Sequence, residues 1–137
     1  MAWVVDTCIL LDILMEDATF GRTSAQALEV CLEESLIICP ITYAELSPAF
    51  QGNRALQEEF LIEVGVDFRQ DWIWADTLRA HQAWNDIIRR KRSGQLPRRP
   101  LADALIGAYA SRFRGLITRN AEDFTKLFPS LPLRVPA

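Results

Sequence analysis

The sequence holds a single histidine, His81, among 137 residues. Any Ser-His or Cys-His nucleophile pair would have to use that one imidazole, which leaves little room for histidine-based catalysis. The three cysteines, Cys8, Cys31 and Cys39, are an odd number with no Cys-x-x-Cys or Cys/His spacing. Each stands among apolar neighbours, as buried thiols of a reducing compartment do, and the spacing argues against a thiolate metal site. No run of 18 apolar residues occurs, so no membrane span is expected. The opening Met1-Ala2-Trp3-Val4-Val5 has no basic segment leading into an apolar stretch, so no secretory signal is expected, and a cytoplasmic protein is. Positive charge is not in excess either. The net charge is -3, so a polyanion would have to be held by a local patch rather than by the field of the whole molecule.

Half the residues are apolar and 24% are charged. That is enough for one hydrophobic core, and residues 1–137 read as one domain. Short apolar runs alternate with longer amphipathic ones. The runs 3–5, 36–39, 66–68, 116–118 and 133–135 read as strands. The segments 7–16, 23–34, 42–50, 54–64, 71–91, 100–112 and 121–127 read as helices, and 93–99 as a loop broken by Gly94 and Pro97. Leu56, Phe60 and Leu61 are expected to face inward, as are Ala25, Leu28, Cys31 and Leu32. Such alternation specifies an α/β fold with a parallel sheet of four to five strands and helices on both faces. In these sheets functional groups gather beyond the carboxyl ends of the strands.

Asp6 directly follows the first strand. It reads either as the N-cap of the next helix or as a rim carboxylate. Glu45 follows the second strand, and Thr42-x-x-Glu45 also fits a capping box. Asp103 is harder to assign to a cap. It lies in Pro100-Leu101-Ala102-Asp103-Ala104-Leu105-Ile106-Gly107, where its helical neighbours three and four residues on are apolar. A carboxylate on such a face needs a cation or a donor. After the fourth strand, Thr118-Arg119-Asn120-Ala121-Glu122-Asp123 offers two more oxygen donors, Asn120 and Asp123, or an Asn cap. Four such positions on one rim would repel one another, and a hard divalent cation resolves the repulsion. Carboxylate-held metals suit phosphodiester hydrolysis. The one dense positive stretch, Arg89-Arg90-Lys91-Arg92 with Arg98-Arg99, precedes the Asp103 helix. It reads as a solvated helix end or as a track for phosphates. Trp72, Trp74 and Trp84 read as core or dimer packing more readily than as base-stacking platforms.

Asp6-Thr7 after a strand, Pro40-Ile41-Thr42-Tyr43-Ala44-Glu45-Leu46, Pro100-Leu101-Ala102-Asp103-Ala104-Leu105-Ile106, and Leu116-Ile117-Thr118-Arg119-Asn120-Ala121-Glu122-Asp123-Phe124 come in that order. Together they resemble the PIN domain family, and more narrowly the VapC-type toxins of bacterial toxin–antitoxin pairs. The resemblance spans essentially the whole chain. It implies a PIN-like three-layer α/β/α sandwich and a Mg²⁺- or Mn²⁺-dependent endoribonuclease that leaves a 5′-phosphate. It implies Asp6, Glu45 and Asp103 as metal-binding acids, with Thr7 near the phosphate. The family's fourth acidic position falls on Asn120, an amide, which leaves one metal or two open, with Asp123 as a substitute ligand. It also implies a homodimer and a small antitoxin protein laid across the site. Arg89, Arg90, Arg92, Arg98, Arg99 and Arg119 are the expected phosphate contacts. The rival readings are a catalytically silent PIN-like module that binds RNA or protein, and a metal-dependent DNA nuclease. A phosphatase with Asp6 as nucleophile would need a second Asp at position 8, where Cys8 stands.

Overall fold

The computed structural model describes residues 1–90 and 100–137. The expected loop 93–99, and with it Arg92, Arg98 and Arg99, lies outside the described residues. Five strands form one parallel sheet: β1 Trp3–Val5, β2 Leu36–Ile37, β3 Val66–Asp67, β4 Gly115–Ile117 and β5 Leu133–Arg134. Their order across the sheet is β3-β2-β1-β4-β5. The helices are α1 Thr7–Leu14, α2 Gly21–Cys31, α3 Pro40–Glu45, α4 Arg54–Glu63, α5 Trp74–Arg89, α6 Pro100–Ala110 and α7 Ala121–Leu127.

The strands are short, but both of their faces are covered, so their apolar residues divide by parity. Trp3, Val5, Leu36, Ile38, Val66 and Ile117 pack into one cluster with Ile9 and Leu10 of α1, Leu28 of α2 and Leu61 of α4. Val4, Ile37, Cys39 and Leu116 pack on the other face with Ile106 and Tyr109 of α6 and Phe124 of α7. The result is a three-layer α/β/α sandwich. Helix α5 covers α6 from outside, and Ala83 and Ile87 meet Ala104 and Leu127 there. Gly115 opens β4 at a point where a Cβ would strike the Pro132 carbonyl and the Trp3 ring. Glycine is thus required for β4 to pack between β1 and β5.

Several boundaries differ from those expected. Helix α3 starts at Pro40, in the first-turn position that proline favours, and it gives way to a 3-10 turn over Ser47–Phe50. Helix α2 buries Gly21, Ser24, Leu28 and Cys31, whereas Ala25 and Leu32 are exposed. Position 24 rather than 25 faces inward, where the Ser24 hydroxyl donates to the buried Asp12 carboxylate, and Leu32 lies past the end of α2 in a 3-10 turn over Leu32–Glu34. In α4, Leu61 is buried and Leu56 is exposed. Trp74 is 71% exposed, so it is not a core residue. Trp72 precedes α5, where it stacks on Tyr109 at 6.0 Å and donates to the Thr77 hydroxyl at 2.7 Å.

Candidate active site

From β1 the chain first moves to β2 and β3 on one side, then returns to β4 on the other. That makes the β1/β4 junction the topological switch point, where open α/β sheets leave a crevice at the carboxyl edge. Val5 pairs with Ile117 across this junction. The next residues on each side are Asp6 and Thr118, and both are fully buried.

Asp6 caps α1, with its Oδ1 accepting from the Thr7 N–H at 2.8 Å. The cap reading is therefore correct, but it covers one oxygen. Oδ2 accepts from the Thr118 hydroxyl at 2.7 Å and from the Cys8 thiol at 3.3 Å. The Thr118 hydroxyl in turn accepts from the Asn120 N–H at 2.9 Å. Burial, and then the Asp6 carboxylate, push the Cys8 thiol up to about 12. Cys8 thus donates to Asp6 as a neutral thiol.

Glu45 does not close a capping box. Helix α3 starts before Thr42, so that residue is an interior one, fully buried. The Glu45 Oε1 instead accepts from the Thr7 hydroxyl at 2.7 Å, and the Thr42 hydroxyl lies 3.0 Å from the same Thr7 oxygen. Thr7 thus ties the acid of the β2 rim to the acid of the β1 rim. Thr42 and Thr118 are site residues that sequence reasoning left unassigned. Thr118 carried a signal, a polar residue directly after a strand, whereas Thr42 lies inside α3 and its only sequence signal was the capping-box pattern with Glu45.

Asp103 is buried in the first turn of α6. Helix α6 leads back to the amino end of β4, so it runs against the strands and its first turn lies at the carboxyl edge. Helix α5 runs antiparallel to it. Asp76 and Arg79 of α5 meet Arg112 and the Ala108 carbonyl at one end, and Ile87 meets Ala104 near the other. Arg89 and Arg90 therefore stand at the same end of this pair as Asp103. Arg90 also donates to the Lys126 carbonyl at 3.1 Å. Asn120 is the N-cap residue of α7 but makes no side-chain cap bond, so the Asn-cap reading is not realised. Asp123 occupies the first turn of α7, half-buried.

Arg119 has a partner that the sequence did not reveal. Its Nε and Nη2 fork onto Asp12 at 2.6 and 2.9 Å, and its guanidinium lies 4.1 Å from the centre of the Phe20 ring. Ser24 donates to the same carboxylate at 2.9 Å. The fork ties α1, α2 and the segment after β4 together just beneath the rim.

In kind, the rim's donors suit a hard divalent cation: three carboxylates, an amide oxygen and hydroxyls. Among the described residues, no three His, Cys, Asp or Glu side chains form a ready metal cage. The rim thus supplies the donor types without a preassembled coordination sphere.

A doubly wound α/β domain with acids at its switch point is a site-bearing fold of a known kind. The model of the PIN domain family matches residues 3–127, and the chain belongs to that family. The solved structure of VapBC2 from Rickettsia felis bound to a DNA fragment from their promoter contains a chain with the same fold. The TM-score is 0.70 at 17% identity, with 98% of each chain covered. Among curated proteins, none matches by sequence. No described helix is long and apolar enough to cross a membrane.

Proposed function

We propose that this chain is an endoribonuclease that works with Mg²⁺ or Mn²⁺ and is the toxin of a toxin–antitoxin pair. The observation that carries the reading is the Asp6–Thr7–Glu45 hydrogen-bonded link at the switch-point rim of a PIN-family fold. Asp6, Glu45 and Asp103 would hold the cation, with Asn120 and Asp123 completing the donor set. The bound cation would activate water and offset charge on the phosphate.

The chain's own residues orient that chemistry. Thr118 and the Thr7 N–H fix the two Asp6 oxygens. Thr7 holds Glu45 toward the same rim. Arg89 and Arg90, with Arg92, Arg98 and Arg99 of the same basic stretch, guide the phosphate backbone. Arg119 acts by holding the rim in place through Asp12 rather than by touching phosphate. The structural neighbour is VapBC2 bound to a DNA fragment from their promoter, and by the toxin–antitoxin reading a small antitoxin protein and a second copy of the chain are this chain's partners.

The test is cleavage of single-stranded RNA and of DNA of the same sequence, with Mg²⁺ or Mn²⁺ and with EDTA. Metal-dependent cutting of RNA, lost in Asp6→Asn and Asp103→Asn with the fold intact, is expected. Full activity in both variants would sink the reading. Preferential cutting of DNA would replace the substrate. A silent binding module is the second reading, favoured by the amide at Asn120 and by the absence of a preassembled cage among the described residues. It predicts RNA binding with no metal-induced rise in melting temperature.

A further inference from the structure

A cleft of about 430 Å³ opens beyond the carboxyl ends of β2 and β3, lined by Pro40, Tyr43, Arg54, Glu58, Phe68 and Arg69. Tyr43 and Phe68 stand 6.0 Å apart with their rings tilted by 33°. Both pack against the core and are half-buried. The inner edge of each ring is thus anchored while the rest meets the cleft. The Arg69 guanidinium lies over the Phe68 ring, 5.2 Å from its centre. Arg54 donates from Nε to the Tyr43 hydroxyl at 3.3 Å and pairs with Glu58 at 3.7 Å. Two anchored aromatic walls with two guanidinium groups at the mouth match the chemistry of a nucleotide. Bases stack on aromatic faces whatever their identity, and arginines meet the phosphates on either side.

Placement links the cleft to the acids. Tyr43 and Glu45 sit two residues apart on the six-residue α3, a helix only about 9 Å long. Two positions apart on a helix, the two side chains project from different sides of α3, so the cleft and the acid rim flank this one short helix and lie within the span of a few nucleotides of one strand. We infer that the cleft is a nucleotide subsite of the substrate strand: one base stacks on Tyr43 and Phe68 while Arg54 and Arg69 hold flanking phosphates. This rests on the ribonuclease reading above. Stacking on an aromatic face is tolerant of base identity, so the subsite sets chiefly where the strand lies.

The test is binding, measured by fluorescence anisotropy in EDTA so that cleavage plays no part. The probes are a mixed-sequence single-stranded RNA of about 12 nucleotides and its abasic counterpart. The wild-type chain is expected to prefer the RNA. Tyr43→Leu and Phe68→Leu keep apolar contact with the core but remove the aromatic face. Each is expected to weaken RNA binding roughly 5- to 150-fold and to erase the preference over the abasic strand. Arg69→Ala alters an exposed side chain, and should lower the slope of log Kd against log salt by about one. Unchanged RNA affinity in the Leu variants overturns the inference, as does a wild type that binds both probes equally. So does a partner peptide whose binding is lost in the Leu variants while RNA binding is retained. The two readings fail separately. Metal-dependent cleavage with unaltered binding in the variants removes the cleft alone. A preserved stacking preference in a wild type that never cleaves removes the nuclease alone.

Discussion

Asp6 and Asp76 are both fully buried, and they are held in different ways. Asp76 receives a guanidinium fork. Arg112 donates from Nε to one oxygen at 3.0 Å and from Nη2 to the other at 2.9 Å. Arg79 lies 3.4 Å away, and the Ile73 N–H also donates to it. Asp6 receives a backbone N–H, a hydroxyl and a thiol. A fork neutralises a carboxylate and fixes it, so the Asp76 centre belongs to the scaffold that clamps α5 to the segment after α6. Those three donors orient Asp6, and none of them brings a charge of its own. Asp12 is of the Asp76 type but sits under the Asp6 rim, forked by Arg119.

The largest effect should separate the two kinds outright. Asp6→Asn and Asp103→Asn are each expected to reduce metal-dependent RNA cleavage by about 100-fold or more. Their melting temperatures should stay within a few degrees of the parent. A large loss of stability with activity per folded molecule retained would place Asp6 with Asp76 and erase the contrast.

Arg112→Leu should do the reverse. It leaves the Asp76 carboxylate buried beside a single, more distant arginine, and breaking such a pair costs about 3–5 kcal/mol. The Arg112 side chain is 26% exposed, so the lower end of that range applies. Urea melts should show the loss, with cleavage per folded molecule unaltered.

Arg119→Leu tests the intermediate case. Removing the fork from buried Asp12 should destabilise the chain by about 1–3 kcal/mol. It should also lower cleavage, because the segment carrying Thr118 and Asn120 loses its tether. Arg119→Lys restores charge without the planar fork, and should recover stability better than activity. Equal recovery of both would make Arg119 a scaffold residue only.

Much of the layer plan was legible from the chain, because strand runs are short, apolar and sharply ended, as Trp3-Val4-Val5 is by Asp6 and Leu36-Ile37-Ile38-Cys39 is by Pro40. A sheet of four to five strands and the parallel α/β class follow from that punctuation, and the structure has five. Helix registers were less legible. Leu56, Leu32 and Trp74 are apolar but exposed, so composition alone misplaced them. The Thr42-x-x-Glu45 pattern was ambiguous because local spacing cannot show that Thr7, 38 residues before Glu45, supplies its hydrogen bond. The forks of Arg112 on Asp76 and Arg119 on Asp12 were out of reach for the same reason: they join residues 36 and 107 positions apart. What the chain did reveal were the acids on the rim. What it hid were the arginines that hold other buried acids away from that role.

The smallest effect concerns a third way of burying a polar group. Tyr109 lies in the core between Trp72 and Phe113, with the Arg112 guanidinium 5.1 Å from its ring centre. Among the described residues its hydroxyl has no hydrogen-bond partner. Tyr109→Phe keeps the ring contacts and removes the unsatisfied group, so stability near neutral pH should change by less than about 1 kcal/mol, in either direction. Alkaline pH should reveal the difference. Burial raises the Tyr109 pKa above its ordinary value, so the folded state keeps the phenolic proton after the unfolded chain has begun to lose it. The protonated form favours folding fully below the unfolded pKa of about 10, and this contribution falls away as pH rises further. Phenylalanine has no such loss. Melting temperatures of the two chains should therefore run parallel from pH 7 to 9, and above pH 10 the variant should hold up better. Cys8 and Cys39, whose thiols are also pushed up by burial, are common to both chains and cancel in the comparison. Parallel curves throughout would mean that the hydroxyl reaches water or a partner when folded.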